Sequence, residues 1–281
     1  MLSAEVDMST SLTSQITLRI ADPNFEHMAK GLFVANVPVL YEDLLMDVAS
    51  VEVMGVEGAP AVEVRCRPRI VRLLKQRVGA KVMKNASPTD FVRAECAAVK
   101  ATLVAQASGK RKTVARDRKR EKGDKETPSS WTTFQRFADE LGFIVFETMN
   151  TIYFGKPTWI RQVMRANSVP VYWNMGPDGQ RTMGIPRCTR TEDRSDATAT
   201  IEFEVPRYRH REFRPGKVVK FQGVPYFYEY YLITNVSYSL LTQEPISVTA
   251  TIPIDPAPPA SASTGASRST SSLRYLLTQV G

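Results

Sequence analysis

Apolar and polar residues alternate with a period of two near both ends of the chain, and this pattern limits the folds open to it. Residues 14–21 (SQITLRIA) alternate in this way and run into a turn at 22–23. Residues 45–54 and 61–66 repeat the pattern around loop 55–60, which contains two glycines and a proline. Beyond position 197, four more segments have the alternation or the β-branched and aromatic composition of strands: 198–205, 217–221, 228–239 and 246–254. The pattern predicts β-structure at both ends of the chain.

The middle of the chain has helical spacing instead. In residues 68–78 apolar side chains recur every three to four positions, as on one face of a helix. A second helix is predicted to begin after Ser87, because serine caps helices and the proline that follows fits a first turn. A third helix is predicted over residues 128–142, followed by a short hairpin over 143–154. The fold class predicted from these patterns is α+β, mainly β.

Two stretches follow neither pattern. Residues 156–195 carry four prolines, and we expect a long connection with little regular structure there. Residues 255–272 (DPAPPASASTGASRSTSS) have the low-complexity composition of an extended linker. A short apolar segment follows this linker, and it is a candidate docking tail for another protein. The residues of this candidate tail are Leu273, Tyr275, Leu276 and Leu277.

Positive charge is concentrated in one segment. The chain has a formal net charge of +8, and residues 110–126 hold nine Lys or Arg against four Asp or Glu, nine minus four being five of those eight charges. Such a segment could contact nucleic-acid phosphates or an acidic protein neighbour. No aromatic residue lies between Ser108 and Pro128 to stack on a base, so a protein contact is favoured and nucleic-acid binding stays the alternative. The candidate contact residues are Lys110, Arg111, Lys112, Arg116, Arg118, Lys119 and Arg120.

The residues that enzymes use are sparse. His27 and His210 are the only histidines, they lie far apart in sequence, and the motifs of metalloproteases, serine hydrolases and nucleotide-binding loops are absent. We therefore predict no enzymatic activity, no metal site and no cofactor. The three cysteines have no paired spacing and are predicted to be buried free thiols. No apolar run is long enough to span a membrane, and the first residues lack the pattern of a signal peptide.

An aromatic run occupies residues 224–232 (VPYFYEYYL). If the run is a strand, Tyr226, Tyr228 and Tyr230 lie on one face, and Phe227 and Tyr231 lie on the other. A strand that is aromatic on both faces is expected to be covered on both faces. The two explanations left open are the core of a closed barrel and an interface between subunits.

Two stretches resemble the hub proteins of phage tails, especially minor tail proteins of actinomycete phages. The first is PSSWTTFQRFADELGF at 128–143 with IVFE and TIYFG after it, which resembles their helix–hairpin unit. The second is FRPGKVVKFQG at 213–223, leading into YLITNVSY at 231–238, which resembles the core of their tube-like barrel. The segments ITLRIADP at 16–23 and SPTDFV at 87–92 also fit the order of elements in that family.

The resemblance implies two small tube-like β-barrel domains separated by an α/β insertion, with an extended C-terminal tail. The implied bounds are 1–67 for the first barrel, 68–160 for the insertion with its basic loop at 108–127, 161–254 for the Pro-rich connection and second barrel, and 255–281 for the tail.

The implied function is that of a structural hub at the tip of a phage tail. Such hubs form homotrimeric rings that join a hexameric tube to a three-fold tip and line the DNA exit channel. The implied partners are further copies of the chain, a distal tail or tube protein, tip or fibre proteins, the tape measure and DNA in passage. The implied location is the tail tip of the virion, with assembly in the host cytoplasm. A hub of a contractile tail or injection machine is the close alternative, and a nucleic-acid-binding protein is the alternative of another class.

Overall fold

β-strands dominate this chain, as the alternating pattern predicts. The structure, a computed structural model, describes residues 1–11, 13–56, 59–109, 111–116, 128–192 and 197–255. The strands are β1 (Ser3–Ser9), β2 (Gln15–Ala21), β3 (Pro38–Tyr41), β4 (Leu44–Val56), β5 (Ala59–Pro68), β6 (Lys81–Ala86), β7 (Thr102–Ala105), β8 (Lys112–Arg116), β9 (Ile144–Thr148), β10 (Thr151–Gly155), β11 (Val169–Tyr172), β12 (Met183–Glu192), β13 (Ala197–Val205), β14 (Val218–Gln222), β15 (Tyr230–Ser239) and β16 (Ile246–Ile252). The helices are α1 (Glu26–Ala29), α2 (Arg69–Gln76), α3 (Pro88–Ala98), α4 (Ser130–Leu141) and α5 (Pro157–Met164). The predicted α+β, mainly β class is confirmed.

One sheet of eleven strands contains the β-structure of both ends of the chain. Its strand order is β12-β13-β16-β15-β1-β2-β5-β4-β3, with β14 beside β15 and β11 beside β14. Strand β1 joins the two ends, because Val6 lies opposite Ile16 on β2 and opposite Tyr238 on β15. In the described residues none of the sheets closes into a barrel, so the two barrels implied by the resemblance are not confirmed.

A single hydrophobic core lies under this sheet. Along β1 the side chains of Ala4, Val6 and Met8 are buried, whereas those of Glu5 and Asp7 are exposed. The buried set packs with apolar residues from both halves of the sheet, since the alternation places every second side chain on the covered face. The first and last β-segments therefore share one core.

The middle of the chain forms a second core. Helices α2, α3 and α4 pack there with the β7-β10-β9 sheet and the β6-β8 ribbon, around aromatic residues such as Phe91 and Phe134. Ser87 and Ser129 cap α3 and α4, each accepting a hydrogen bond from the backbone of the third helical residue, as in a capping box. Gly142 ends α4 with φ of 62°, a conformation that glycine adopts without strain. The predicted helices and the 143–154 hairpin are confirmed.

The expectation of an irregular connection over residues 156–195 is wrong. This stretch contains α5, β11 and β12. Pro157 occupies the first turn of α5, where its missing N–H costs no helical hydrogen bond. Pro186 lies where the pairing of β12 with β13 is interrupted, a position at which a strand tolerates proline. Four prolines therefore do not exclude regular structure here.

A buried carboxylate joins the large sheet to the hairpin of the middle region. Glu147, on β9, accepts hydrogen bonds from the backbone N–H groups of Ser14 (3.2 Å), just before β2, and of Asn150 (2.9 Å), in the β9–β10 turn. Burial raises its pKa to about 7, and the hydrogen bonds oppose this shift only in part. The charged form of Glu147 therefore costs stability in the folded protein.

We expect Glu147→Gln to flatten the pH dependence of stability. The folded protein holds this proton up to a pH of about 7, whereas the unfolded chain releases it near its ordinary value of 4.5, so the free energy of unfolding falls as the pH rises through that window. Urea unfolding at about pH 5 and about pH 8 measures the decrease in the free energy of unfolding between these pH values. This decrease should be larger in the wild type than in Glu147→Gln by about 2 kcal/mol. Glu147→Gln loses a hydrogen bond at either pH, so the quantity compared is the change in the free energy of unfolding between the two pH values. Equal changes in the wild type and the variant would contradict the role given to Glu147.

Candidate assembly surfaces

A buried carboxylate on α3 lies at the base of the basic segment. Glu95 accepts hydrogen bonds from Arg77 (2.7 Å), Lys81 (2.6 Å), Arg116 (2.7 Å) and the hydroxyl of Ser130. Burial alone would raise its pKa, but the bonds from Arg77, Lys81 and Ser130 and the charge of Arg116 lower it to about 2. Glu95 is therefore ionised throughout the ordinary pH range and neutralises three cations, which lie on β6, on β8 and just after α2.

The Glu95 cluster binds residues on either side of 117–127, which form the C-terminal part of the basic segment. Arg116 comes immediately before residues 117–127 and Ser130 shortly after them, and both bond the same carboxylate oxygen. Arg116 is itself buried, and its guanidinium also donates to the carbonyl of Val78. The prediction that Arg116 contacts a partner is therefore corrected, because its charge is used inside the fold.

Two other residues of the predicted contact set are on the surface. Arg111 and Lys112 are exposed, and Lys112 begins β8 on the β6-β8 ribbon. A role for them in partner or phosphate contact stays a prediction. The remaining members of the set, Lys110, Arg118, Lys119 and Arg120, lie outside the described residues.

The predicted tyrosine stripe is not one face of a strand. Strand β15 begins only at Tyr230, and Tyr226 precedes it in a loop with φ of 67°. Tyr226 is 84% exposed and Tyr228 is also exposed, whereas Tyr230 is partly covered by Arg165, whose guanidinium lies 4.2 Å from the ring centre. The alternation fails because Gly223 turns the chain before the strand starts. An interface role for these tyrosines stays a prediction.

The start of the C-terminal tail is anchored to α5. Asp255 accepts hydrogen bonds from the backbone N–H (3.1 Å) and the hydroxyl (2.7 Å) of Thr158, and it forms an ion pair with Lys156 (3.6 Å). A carboxylate is favourable at this first turn because the free N–H groups of a helix point there. The candidate docking residues Leu273, Tyr275, Leu276 and Leu277 lie outside the described residues.

The two ends of the large sheet carry exposed apolar side chains. Strand β3 ends the strand order on one side and β12 on the other, and in the described residues neither has a second strand along its outer edge. Leu40 on β3 is 72% exposed and Ile185 on β12 is 85% exposed. Sequence analysis missed both residues. A signal was present at Ile185, since a glycine before it and a proline after it indicate a bulged edge strand.

Polar contacts hold the β3 edge against the C-terminal half. A ring nitrogen of His210 contacts the carboxylate of Glu42, and the hydroxyls of Tyr41 and Tyr238 are 2.7 Å apart. Burial of Glu42 opposes its ionisation, but His210 and Arg211 more than offset this and lower its pKa. His210 is therefore placed to orient the β3–β4 turn.

A polar cleft of about 450 Å³ lies between the large sheet and α4. Asp7, Arg67 and Lys75 are the charged residues among the described lining side chains, with serines, glutamines and an asparagine around them. Burial, with a further contribution from Glu5, raises the pKa of Asp7.

The described part of the chain includes all three cysteines of the sequence. Its residues contain no group of three or more His, Cys, Asp or Glu placed to hold a metal ion. Cys66 and Cys96 are buried free thiols whose pKa burial raises to about 11 and about 12, and Cys188 is a half-buried free thiol. No helix in the described ranges is long and apolar enough to cross a membrane.

We expect Glu95→Ala to destabilise the protein strongly, because it would leave the buried guanidinium of Arg116 without its counter-charge. Losing one partner of a buried ion pair typically costs about 3–5 kcal/mol. The matched control is Glu140→Ala, which removes an exposed carboxylate 4.0 Å from Lys112 and should change stability by about 1 kcal/mol or less. Urea unfolding of both variants measures this difference, and equal small losses would contradict an anchoring role for Glu95.

Comparison with known proteins relates this fold to tail proteins. No family model and no curated protein matches the chain. Among solved structures, the 43 kDa tail protein of prophage MuSo2 from Shewanella oneidensis matches with a TM-score of 0.54 and 9% identity, over 89% of this chain and 93% of that one. A tail protein from Neisseria meningitidis matches with a TM-score of 0.55 and 10% identity, over 88% and 91%.

A third similar structure is an Escherichia coli component of the type VI secretion system. It is described as structurally similar to the T4 bacteriophage tail proteins gp27 and gp5. Its TM-score is 0.53 with 15% identity, over 92% of this chain and 76% of that one. At sequence identities of 9%, 10% and 15%, structural similarity to these proteins establishes a shared fold and nothing more. The chain therefore has the fold of phage tail proteins, as the resemblance in its sequence implied.

Proposed function

We propose that this protein is a non-enzymatic structural hub of a phage tail tip, which joins the hexameric tail tube to the three-fold tip and lines the DNA exit channel. The observation that carries the proposal is the shared fold with two phage tail proteins, which extends over 88–89% of this chain and 91–93% of theirs. The proposed location is the tail tip of the virion, after assembly in the host cytoplasm.

In this proposal the subunits form a homotrimeric ring. Residues 1–67 and 161–254 act as the two tube-like units of each subunit, residues 68–160 form the insertion, and residues 255–281 are the tail. Three subunits then supply six similar units, which match a hexameric tube on one side while keeping three-fold symmetry on the other. The open sheet supports this arrangement, because the unpaired edges of a sheet can pair with strands of neighbouring subunits.

The proposed partners follow from the surfaces. The basic segment, bound to Glu95 through Arg116 and, just beyond its end, through Ser130, docks on an acidic neighbour in the tail tip. The tail, anchored at Asp255, reaches a further tail protein such as the tube protein, a tip or fibre protein or the tape measure. DNA passes through the ring without a lasting contact.

A second candidate is a hub of a contractile tail or injection machine. The observation in its favour is the fold shared with the Escherichia coli type VI secretion component, at a TM-score of 0.53. The structural role is the same in both candidates. They differ in the surrounding machine, so purification of native particles distinguishes them.

The first prediction concerns assembly. Light scattering of the full chain, alone and with purified tail-tip proteins, should give the mass of a trimer or of a defined ring that forms with those partners. The expected ring reflects repeated copies of one interface, since head-to-tail contacts close into cyclic assemblies. A protein that stays monomeric with every tail protein would contradict the hub.

The second prediction separates docking from nucleic-acid binding. Changing Arg111 and Lys112 together to Glu should weaken binding to the tail-tip partner while leaving the mass of the free protein unchanged. The control is Lys30→Glu, which reverses an exposed charge just after α1. Tight binding of duplex DNA by the wild type, falling steeply with salt and lost in the double variant, would instead favour the nucleic-acid alternative.

A further inference from the structure

The bulge in β12 presents an apolar side chain to solvent. Met183 lies opposite Glu204 and Arg187 lies opposite Glu202, so residues 184–186 of β12 face a single residue of β13. Gly184 has φ of 77°, which glycine tolerates, and Ile185 at the centre of the bulge is 85% exposed. Bulges commonly redirect a side chain. The effect here is to point an isoleucine outward at the edge of the sheet.

The opposite edge presents an apolar pair. Leu40 on β3 lies directly across from Leu45 on β4, and both side chains are exposed. Val39 and Tyr41, on either side of Leu40, pack instead against the core. The pair therefore lies on the uncovered face of the sheet, where cross-strand neighbours form a continuous apolar surface.

Each edge has an exposed charged residue that can face a neighbour, and the two have opposite signs. Arg187 on β12 is 80% exposed and lies 3.8 Å from a carboxylate oxygen of Glu202. Asp43 in the β3–β4 turn is also exposed, whereas the adjacent Glu42 already contacts His210 and Arg211. Two β12 edges brought together would place arginines against each other, and two β3 edges would do the same with carboxylates. A contact between unlike edges avoids both repulsions.

We infer that the β12 edge of one copy packs against the β3 edge of the next copy, with Ile185 on Leu40 and Leu45 and with Arg187 facing Asp43. The inference rests on the proposed function and names the surfaces that close its ring. Both edges belong to one sheet and lie at opposite ends of its strand order, so the contact is head-to-tail and can repeat around a ring. Pro38 and Pro186 each remove a backbone donor, so side chains carry more of the contact than a hydrogen-bond ladder does.

A cross-linking experiment tests the direction of this contact. Full-length chains with Cys188→Ser, whose other cysteines are buried, receive either Ile185→Cys or Leu40→Cys and are treated with a short bis-maleimide. The expected result is a cross-linked pair only when the two kinds of chain are mixed. A cross-link within the Ile185→Cys sample alone would overturn the head-to-tail arrangement, because it would place two β12 edges together.

Substitutions test the energetics on the same full-length protein. Ile185→Asp and Leu40→Asp should each raise the dissociation constant between copies by about tenfold or more, since each places a charge in an apolar contact. The control is Val82→Asp, at a residue of β6 that is 45% exposed, and it should leave the dissociation constant between copies unchanged. A ring that forms unchanged in both edge variants would overturn this inference and leave the hub intact. A chain that is monomeric in every mixture and never cross-links would overturn both.

Discussion

The pairing of β1 with both β2 and β15 is the interaction on which the rest of the structure depends. It brings strands from the N-terminal and C-terminal parts of the chain into one sheet, although they are separated by the whole middle region. The buried face of β1, formed by Val6 and Met8, packs into the same core as residues from β13 to β16. Because these contacts are distant in sequence, their loss would separate the two halves rather than loosen one element.

The open sheet leaves unpaired strands at both ends of its strand order. Sheet edges are usually shielded, and here prolines and a bulge limit uncontrolled pairing while leaving Leu40 and Ile185 exposed. The middle region does not cover those edges. It forms its own core, joins the sheet through Glu147, and holds the basic segment through Glu95. The proposed docking surfaces thus lie on separate elements.

Sequence patterns predicted the local structure well. Alternation found most strands of the large sheet, the capping signal at Ser87 found α3, and helical spacing found α4, because these signals depend on neighbouring residues. The sheet order depends on which strands meet in space, so the glycine and proline around Ile185 indicate a bulge but not its place at the edge of the large sheet. The same reason explains two errors. Arg116 was expected on the surface although Glu95 binds it inside, and Tyr226 was assigned to a strand that begins only at Tyr230.

Electron cryomicroscopy of the full chain bound to its tail-tip proteins tests the central claim most directly. The account predicts a closed three-fold ring in which each large sheet continues edge to edge into the next, so that the β12 edge of one copy lies beside the β3 edge of its neighbour. It also predicts a central opening wide enough for DNA. Particles with single copies attached to the tip, or with the large sheets separated from each other, would contradict it.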